Sequence, residues 1–163
     1  MSLFPPDLLA RAAALLSDCR QKSLTITTAE SCTGGLLAAL LTEIPGSSDV
    51  FARGYITYAN SAKTEMLGVA STLIATHGAV SEEVARAMAE GALRAASADV
   101  AIAATGIAGP GGGSTEKPVG LVHLAVATKS STYHQRHVFM GDRSAVRMRA
   151  LAAGLAMVMQ SSN

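Results

Sequence analysis

The chain is 163 residues long, the size of one compact domain that buries roughly two-thirds of its surface without outside help. A formal net charge of +1 and the lack of any long Lys/Arg run leave no electrostatic footprint for nucleic acid or an anionic membrane, which favours a small-molecule partner. Two cysteines, Cys19 and Cys32, are too few for a disulfide framework and lack metal-ligand spacing with the histidines, so a reducing compartment is expected and metal catalysis has no support.

Pro5, Pro6, Asp7 and Arg11 interrupt the N-terminal apolar run where a signal peptide needs continuity. The uncharged tail from Ala150 to Asn163 is shorter than the roughly 20 apolar residues of a membrane span. A soluble, cytoplasmic protein is expected.

Leu8, Leu9, Ala12, Leu15 and Leu16 recur at helical spacing and predict a helix from Asp7 to about Lys22. The β-branched stretch 24–29, LTITTA, predicts a buried strand, and SCTGGLLAALL after it reads as a helix, placing Ser31 at a strand-to-helix junction. Beyond the turn at Pro45-Gly46-Ser47-Ser48, FARGYITYA predicts a second strand and NSAKTEMLG a short helix capped by Asn60. Ser81, followed by Glu82 and Glu83, opens a helix to about Ser97.

DVAIAAT, residues 99–105, predicts another buried strand, and the glycine-rich segment after it is too long for a simple connection. VGLVHLAVAT and YHQRHVFM predict a hairpin across Lys129 to Thr132, and a helix from about Arg143 to Met159 closes the chain. No repeat or second-domain boundary is visible over residues 1–163. The order of elements predicts a three-layer α/β/α domain with a mixed sheet of about five to six strands, and sites in such sheets form where strand ends meet helix starts.

Three segments carry candidate chemistry. At Ser31 a hydroxyl faces the predicted helix start, whose free amides suit a developing oxyanion. The alternative is an ordinary N-cap serine. Gly34 and Gly35 tell against that alternative, because glycine early in a helix suggests close approach by a ligand or another backbone. Tyr58 and Lys63 supply a base for such a nucleophile. With Asn60 as cap, Lys63 occupies the third helical position, where the dipole and burial both favour a neutral amine; the alternative is a solvated lysine. Tyr58 likewise reads either as a functional phenol or as a packed strand residue.

The third segment, Thr105-Gly106-Ile107-Ala108-Gly109-Pro110 with the glycines after it, lacks both GxGxxG spacing and a following GKS or GKT. Dinucleotide and nucleoside-triphosphate readings are therefore rejected. Its backbone amides suit a phosphate or carboxamide, unless it is a plain surface loop. Arg143 and Arg147 lie one turn apart and suit a single anion, or else line a solvated face where Asp142 pairs with one of them. His77, His123, His134 and His137 show no ligand or triad spacing and are taken as structural.

Together TAESCTGG at 28–35, YANSAK at 58–63, HGAVS at 77–81, ATGIAGPGGG at 104–113, KPVG at 117–120 and GDR at 141–143 closely resemble the CinA C-terminal domain family, and the match runs through essentially the whole chain. Members of that family include stand-alone nicotinamide mononucleotide amidohydrolases, which form nicotinate mononucleotide and ammonia and feed pyridine-nucleotide recycling. The resemblance implies catalysis by Ser31, Tyr58 and Lys63 without cofactor or metal. It implies a nucleotide substrate lined by Thr105 and the glycine loop, including Gly106 and Gly109, with its phosphate on Arg143 and Arg147. The oxyanion would fall to the Cys32 and Thr33 amides beside Gly34 and Gly35, and Glu30 is counted with the substrate-binding residues, a contact with the ribose hydroxyls being left open.

Longer members carry a preceding nucleotide-pyrophosphatase-like domain, so no pyrophosphatase activity is expected here. Small apolar residues on the helices would permit a homodimer. Two alternatives stand beside this reading: a non-catalytic nucleotide-binding regulatory module, and an amidase for another small amide.

Overall fold

The computed structural model describes residues 1–161. In chain order the elements are α1 (Pro6–Gln21), β1 (Ile26–Glu30), α2 (Leu36–Thr42), β2 (Phe51–Ile56), α3 (Asn60–Leu67), α4 (Ser71–His77), α5 (Glu82–Ala96), β3 (Val100–Gly106), β4 (Leu121–Thr128), β5 (Thr132–Val138) and α6 (Arg143–Ser161), with one 3-10 turn at Ser47–Asp49. The five strands lie in the order β2-β1-β3-β4-β5. β1 runs parallel to both β2 and β3, and β4 and β5 complete the sheet antiparallel, which is the mixed α/β architecture predicted.

Three elements differ from the prediction. α2 starts at Leu36 rather than at Ser31, because Gly34 and Gly35 take φ of +58° and +100° and hold 31–35 in a turn. α3 is preceded by Ala59 as cap, with Asn60 its first helical residue and no side-chain capping bond. Lys63 is therefore one position deeper in the helix than its sequence suggests. α4 escaped prediction because it is short and buries only Ile74, too little for a helical period to show.

The two faces of the sheet are built from different side chains. Ile26, Ile102, Val122, Leu124 and Val126 pack toward α1, α2 and α6. On the opposite face the strands present Ala29, Ala101, Ala103, Ala125 and Ala127, against which α3, α4 and α5 settle. Alternation along β3 and β4 produces both faces at once, since successive strand side chains point to opposite sides.

The alanine face lets α5 sit low on the sheet, and Gly91 lets it meet α3 closely. A Cβ on Gly91 would stand 2.1 Å from the Leu67 carbonyl oxygen. Gly91→Ala is therefore expected to destabilise the fold by about 1–3 kcal/mol through overpacking, outweighing the roughly 1 kcal/mol gain in helix propensity. Urea unfolding of the two proteins measures the difference.

The connection from β1 to β2 runs through α2 on one face, while that from β2 to β3 runs through α3, α4 and α5 on the other. The carboxyl ends of β1 and β3 thus lie where crossovers leave the sheet on opposite faces, the position at which sites form in open α/β sheets. Ser31 follows β1 at that point, and its amide donates to the Ala104 carbonyl of β3 at 2.9 Å.

Candidate active site

Ser31 is held against a buried lysine. Lys63 is only 1% exposed, and its Nζ donates to Thr57 O at 2.9 Å, to Tyr58 O at 3.3 Å and to Ser31 Oγ at 3.2 Å. No carboxylate pairs with it among the described residues. Burial pushes its pKa below the ordinary lysine value of 10.5, with the nearby Cys32 opposing.

Two of the three partners are carbonyls, which only accept. In the neutral amine both N–H bonds go to Thr57 O and Tyr58 O, and the lone pair is left facing the Ser31 hydroxyl. The backbone thus orients the amine as a proton acceptor for serine. Cys32, next in sequence, does not compete as a nucleophile, because burial raises its thiol to about 11.

The Tyr58 side chain is 63% exposed, and its hydroxyl accepts from Arg143 Nη2 at 3.2 Å. It therefore does not bridge Ser31 and Lys63; the Tyr58 carbonyl, not its phenol, holds the lysine. Arg143 also donates through Nη1 to Gly109 O at 2.8 Å, and its exposed guanidinium has further N–H groups to offer an anion. Asp142 pairs with neither arginine among the described residues: its carboxylate accepts from Ala145 N at 2.9 Å and caps α6.

Arg147 turns away from solvent toward the serine turn. Its Nε donates to Cys32 O at 3.1 Å and its Nη2 to Thr33 O at 3.0 Å. It does not share one anion site with Arg143 in the simple way their helical spacing suggests. Gly34 leaves room for this contact, since a Cβ there would stand 3.3 Å from Arg147 Nη2; a Cβ on Gly35 would meet Ile56 Cδ1 at 2.9 Å.

Glu30, counted with the substrate-binding residues, is fully buried. Its carboxylate accepts from the amides of Gly35 at 3.0 Å, Leu37 at 3.0 Å and Ala38 at 2.9 Å. These are among the amides that a helix start leaves unpaired, so Glu30 does for α2 what a capping side chain at Gly35 cannot. Thr105, expected to line the substrate site, is also buried and donates to Ala79 O at 2.8 Å. Gly106 packs against β4, where a Cβ would lie 2.7 Å from Leu121 O, and Gly109 lends its carbonyl to Arg143. Sequence reasoning named Glu30, Thr105 and Arg147 as substrate contacts; their bonds are to backbone of the site's own walls.

The amides of Cys32 and Thr33 donate to no backbone carbonyl among the described residues, whereas Gly34 N donates to Ser31 O at 3.1 Å. Donors beside a nucleophile that no carbonyl occupies are what an oxyanion requires. Among the described residues, no group of three or more His, Cys, Asp or Glu gathers to hold a metal ion, and no helix is long and apolar enough to cross a membrane.

None of the histidines contacts Ser31 or Lys63 among the described residues. His77 lies 3.4 Å from Glu83, and His137 stacks on Phe139. His123 Nδ1 and His134 Nε2 share a hydrogen bond of 2.8 Å, with Glu82 3.5 Å from His134. Burial, then the neighbouring His134, lowers His123 from 6.5 to about 4.

The unfolded chain accepts this proton near pH 6.5 and the folded chain only near 4. Stability from His123 is complete above 6.5 and lost as the pH falls toward 4, by up to about 3 kcal/mol. Thermal melts across that range should show a steeper decline for the natural protein than for His123→Gln.

A serine hydroxyl thus meets a buried lysine amine at the carboxyl end of a strand in a mixed α/β sheet, a geometry in which a neutral amine is able to accept the serine proton. The profile of the CinA C-terminal domain matches residues 9–162, and this chain belongs to that family.

The nicotinamide-nucleotide amidohydrolase PncC of Escherichia coli K12 is 53% identical over 137 residues, covering 83% of each chain. A putative competence-damage inducible protein of Symbiobacterium thermophilum is 52% identical over 147 residues, 85% of this chain and 34% of that protein. The chain spans about a third of the length of several such relatives. The crystal structure of the competence/damage inducible protein CihA from Agrobacterium tumefaciens superposes with a TM-score of 0.98 at 47% identity, covering 100% of both chains. A CinA superfamily protein from Escherichia coli superposes at 0.92 with 36% identity, over 99% of this chain and 94% of that one.

Proposed function

We propose that this protein is a nicotinamide-nucleotide amidohydrolase, converting nicotinamide mononucleotide and water to nicotinate mononucleotide and ammonia. The observation that carries the reading is the buried amine of Lys63 on the Ser31 hydroxyl. The similarity to PncC, which covers most of both chains, supports the choice of substrate.

In the proposed reaction Lys63 takes the Ser31 proton as Oγ attacks the carboxamide carbon. The tetrahedral oxyanion rests on amides of the 32–33 turn. Lys63 then passes its proton to the leaving nitrogen, the C–N bond breaks and ammonia departs. Water attacks the resulting ester, gives a proton to Lys63, and the acid leaves as Ser31 regains its hydrogen. Arg143 and Tyr58 form the outer wall, where the arginine receives the nucleotide phosphate.

The test is ammonia release from nicotinamide mononucleotide by the natural protein and by Ser31→Ala, with and without chelator. Turnover that survives the chelator and disappears in the variant, while the variant still binds substrate calorimetrically, supports the mechanism. Binding without ammonia from the natural protein would move the assignment to a regulatory module.

We also propose that the protein is a cytoplasmic homodimer. Ile56 stands exposed on β2, which is an edge strand of the sheet, and free Cys19 and Cys32 suit a reducing compartment. Light scattering of the purified protein at micromolar concentration checks the dimer.

A further inference from the structure

The Ser31 turn is gripped from the side opposite the proposed oxyanion. Arg147 reaches it from α6, across 115 residues of sequence, and lays the Nε and Nη2 edge of its guanidinium on two successive carbonyls, Cys32 O and Thr33 O. In a trans peptide the C=O and N–H of one unit point in opposite directions. The unit whose oxygen is Cys32 O carries the Thr33 N–H; the unit whose oxygen is Thr33 O carries the Gly34 N–H.

Both N–H groups therefore point away from Arg147. Gly34 N donates to the Ser31 main-chain carbonyl at 3.1 Å, so the side of the turn away from Arg147 is the side on which residue 31 lies. Thr33 N–H, in the adjacent peptide unit, has no backbone acceptor among the described residues. A full positive charge bonded to the carbonyl end of a peptide also polarises its N–H end, strengthening it as a donor.

We propose that Arg147 is a positioning residue for acyl transfer, holding and polarising the Cys32–Thr33 peptide so that the Thr33 amide receives the oxyanion formed at Ser31. The proposal rests on the amidohydrolase reading and reassigns Arg147 from the phosphate to the reacting centre. Arg143, exposed on the outer wall, remains the phosphate ligand. Lysine does not replace this arginine fully, because a point charge cannot hold two carbonyls in a planar fork.

The test compares the natural protein with Arg147→Met, Arg147→Lys and, as a control on the same helix, the exposed Arg149→Met. An alkyl fluorophosphonate reads the centre without depending on the natural substrate. Ser31 Oγ bonds phosphorus, fluoride leaves, and Lys63 takes the serine proton through an anionic transition state. Labelling is followed by intact mass, alongside kcat and KM for nicotinamide mononucleotide and nicotinamide riboside.

The expected result is labelling slowed roughly 10- to 100-fold in Arg147→Met, less in Arg147→Lys and not in Arg149→Met. kcat should fall by a common factor on both substrates with the ratio of their KM values kept. Thermal melts accompany each variant, and if Arg147→Met does not fold, the slowed labelling of Arg147→Lys carries the test. Unchanged labelling, or a KM rise confined to the phosphorylated substrate, would overturn the proposal. A labelled natural protein that releases no ammonia would sink the substrate assignment and leave the role of Arg147 standing. A natural protein that is folded yet unlabelled would overturn both.

Discussion

Lys63→Met is expected to lower kcat for nicotinamide mononucleotide by about 10³-fold or more, the loss that follows removal of a positioned general base. Methionine approximates the lysine stem and needs no counter-charge, so it suits a position that is 1% exposed. It leaves Thr57 O and Tyr58 O without a donor, but it also removes an amine whose charged form burial disfavours. These effects oppose one another, and the variant's melting temperature should stay within roughly 5 °C of the natural protein's.

A large loss of turnover in a folded Lys63→Met variant would separate chemistry from stability. Retention of turnover would assign proton transfer to another group. The natural protein's rate should rise with pH as Lys63 loses its proton, at a pH below the 10.5 of an ordinary lysine. Lys63→Met should lose that limb of the profile.

Glu30→Ala should produce the largest loss of stability, about 3 kcal/mol or more, because it strands the amides of Gly35, Leu37 and Ala38 together, the first and last half-buried and that of Leu37 fully buried. For a domain of this size that corresponds to a melting temperature lower by roughly 6–12 °C. Glu30→Gln keeps an acceptor oxygen but turns its amide hydrogens toward other donors, so it should fall between the two. Activity should decline with the ordering of 31–35, since Glu30 anchors the helix into which that turn feeds. An unchanged melt would mean that water caps α2 equally well; a rise in KM without loss of stability would restore Glu30 to the substrate.

The candidate chemistry was legible from local pattern where the chain itself supplies the geometry. Ser31 follows a β-branched strand, and Lys63 lies at the start of a helix that follows another. Parallel pairing of β1 with β2 brings those two strand ends side by side. Residues 99–105 likewise read as a buried strand, and in β3 and β4 the alternation of large residues with alanine places the two kinds on opposite faces. α4 and the break before α2 were harder to read: seven residues give too little periodicity, and Gly34 and Gly35 were compatible with either a helix start or a turn.

Sequence alone determined the order of the strands along the chain, the mixed α/β class and, through its motifs, the resemblance to the CinA C-terminal domain family. Tertiary structure decided what the polar residues around Ser31 do. Glu30 caps a helix, Thr105 ties β3 to Ala79, and Arg147 holds carbonyls 114 and 115 residues away. Side-chain chemistry advertises what a residue is able to bond. Which backbone group satisfies it depends on distant segments brought together by the sheet, and a buried donor or acceptor takes the partner that packing leaves within reach.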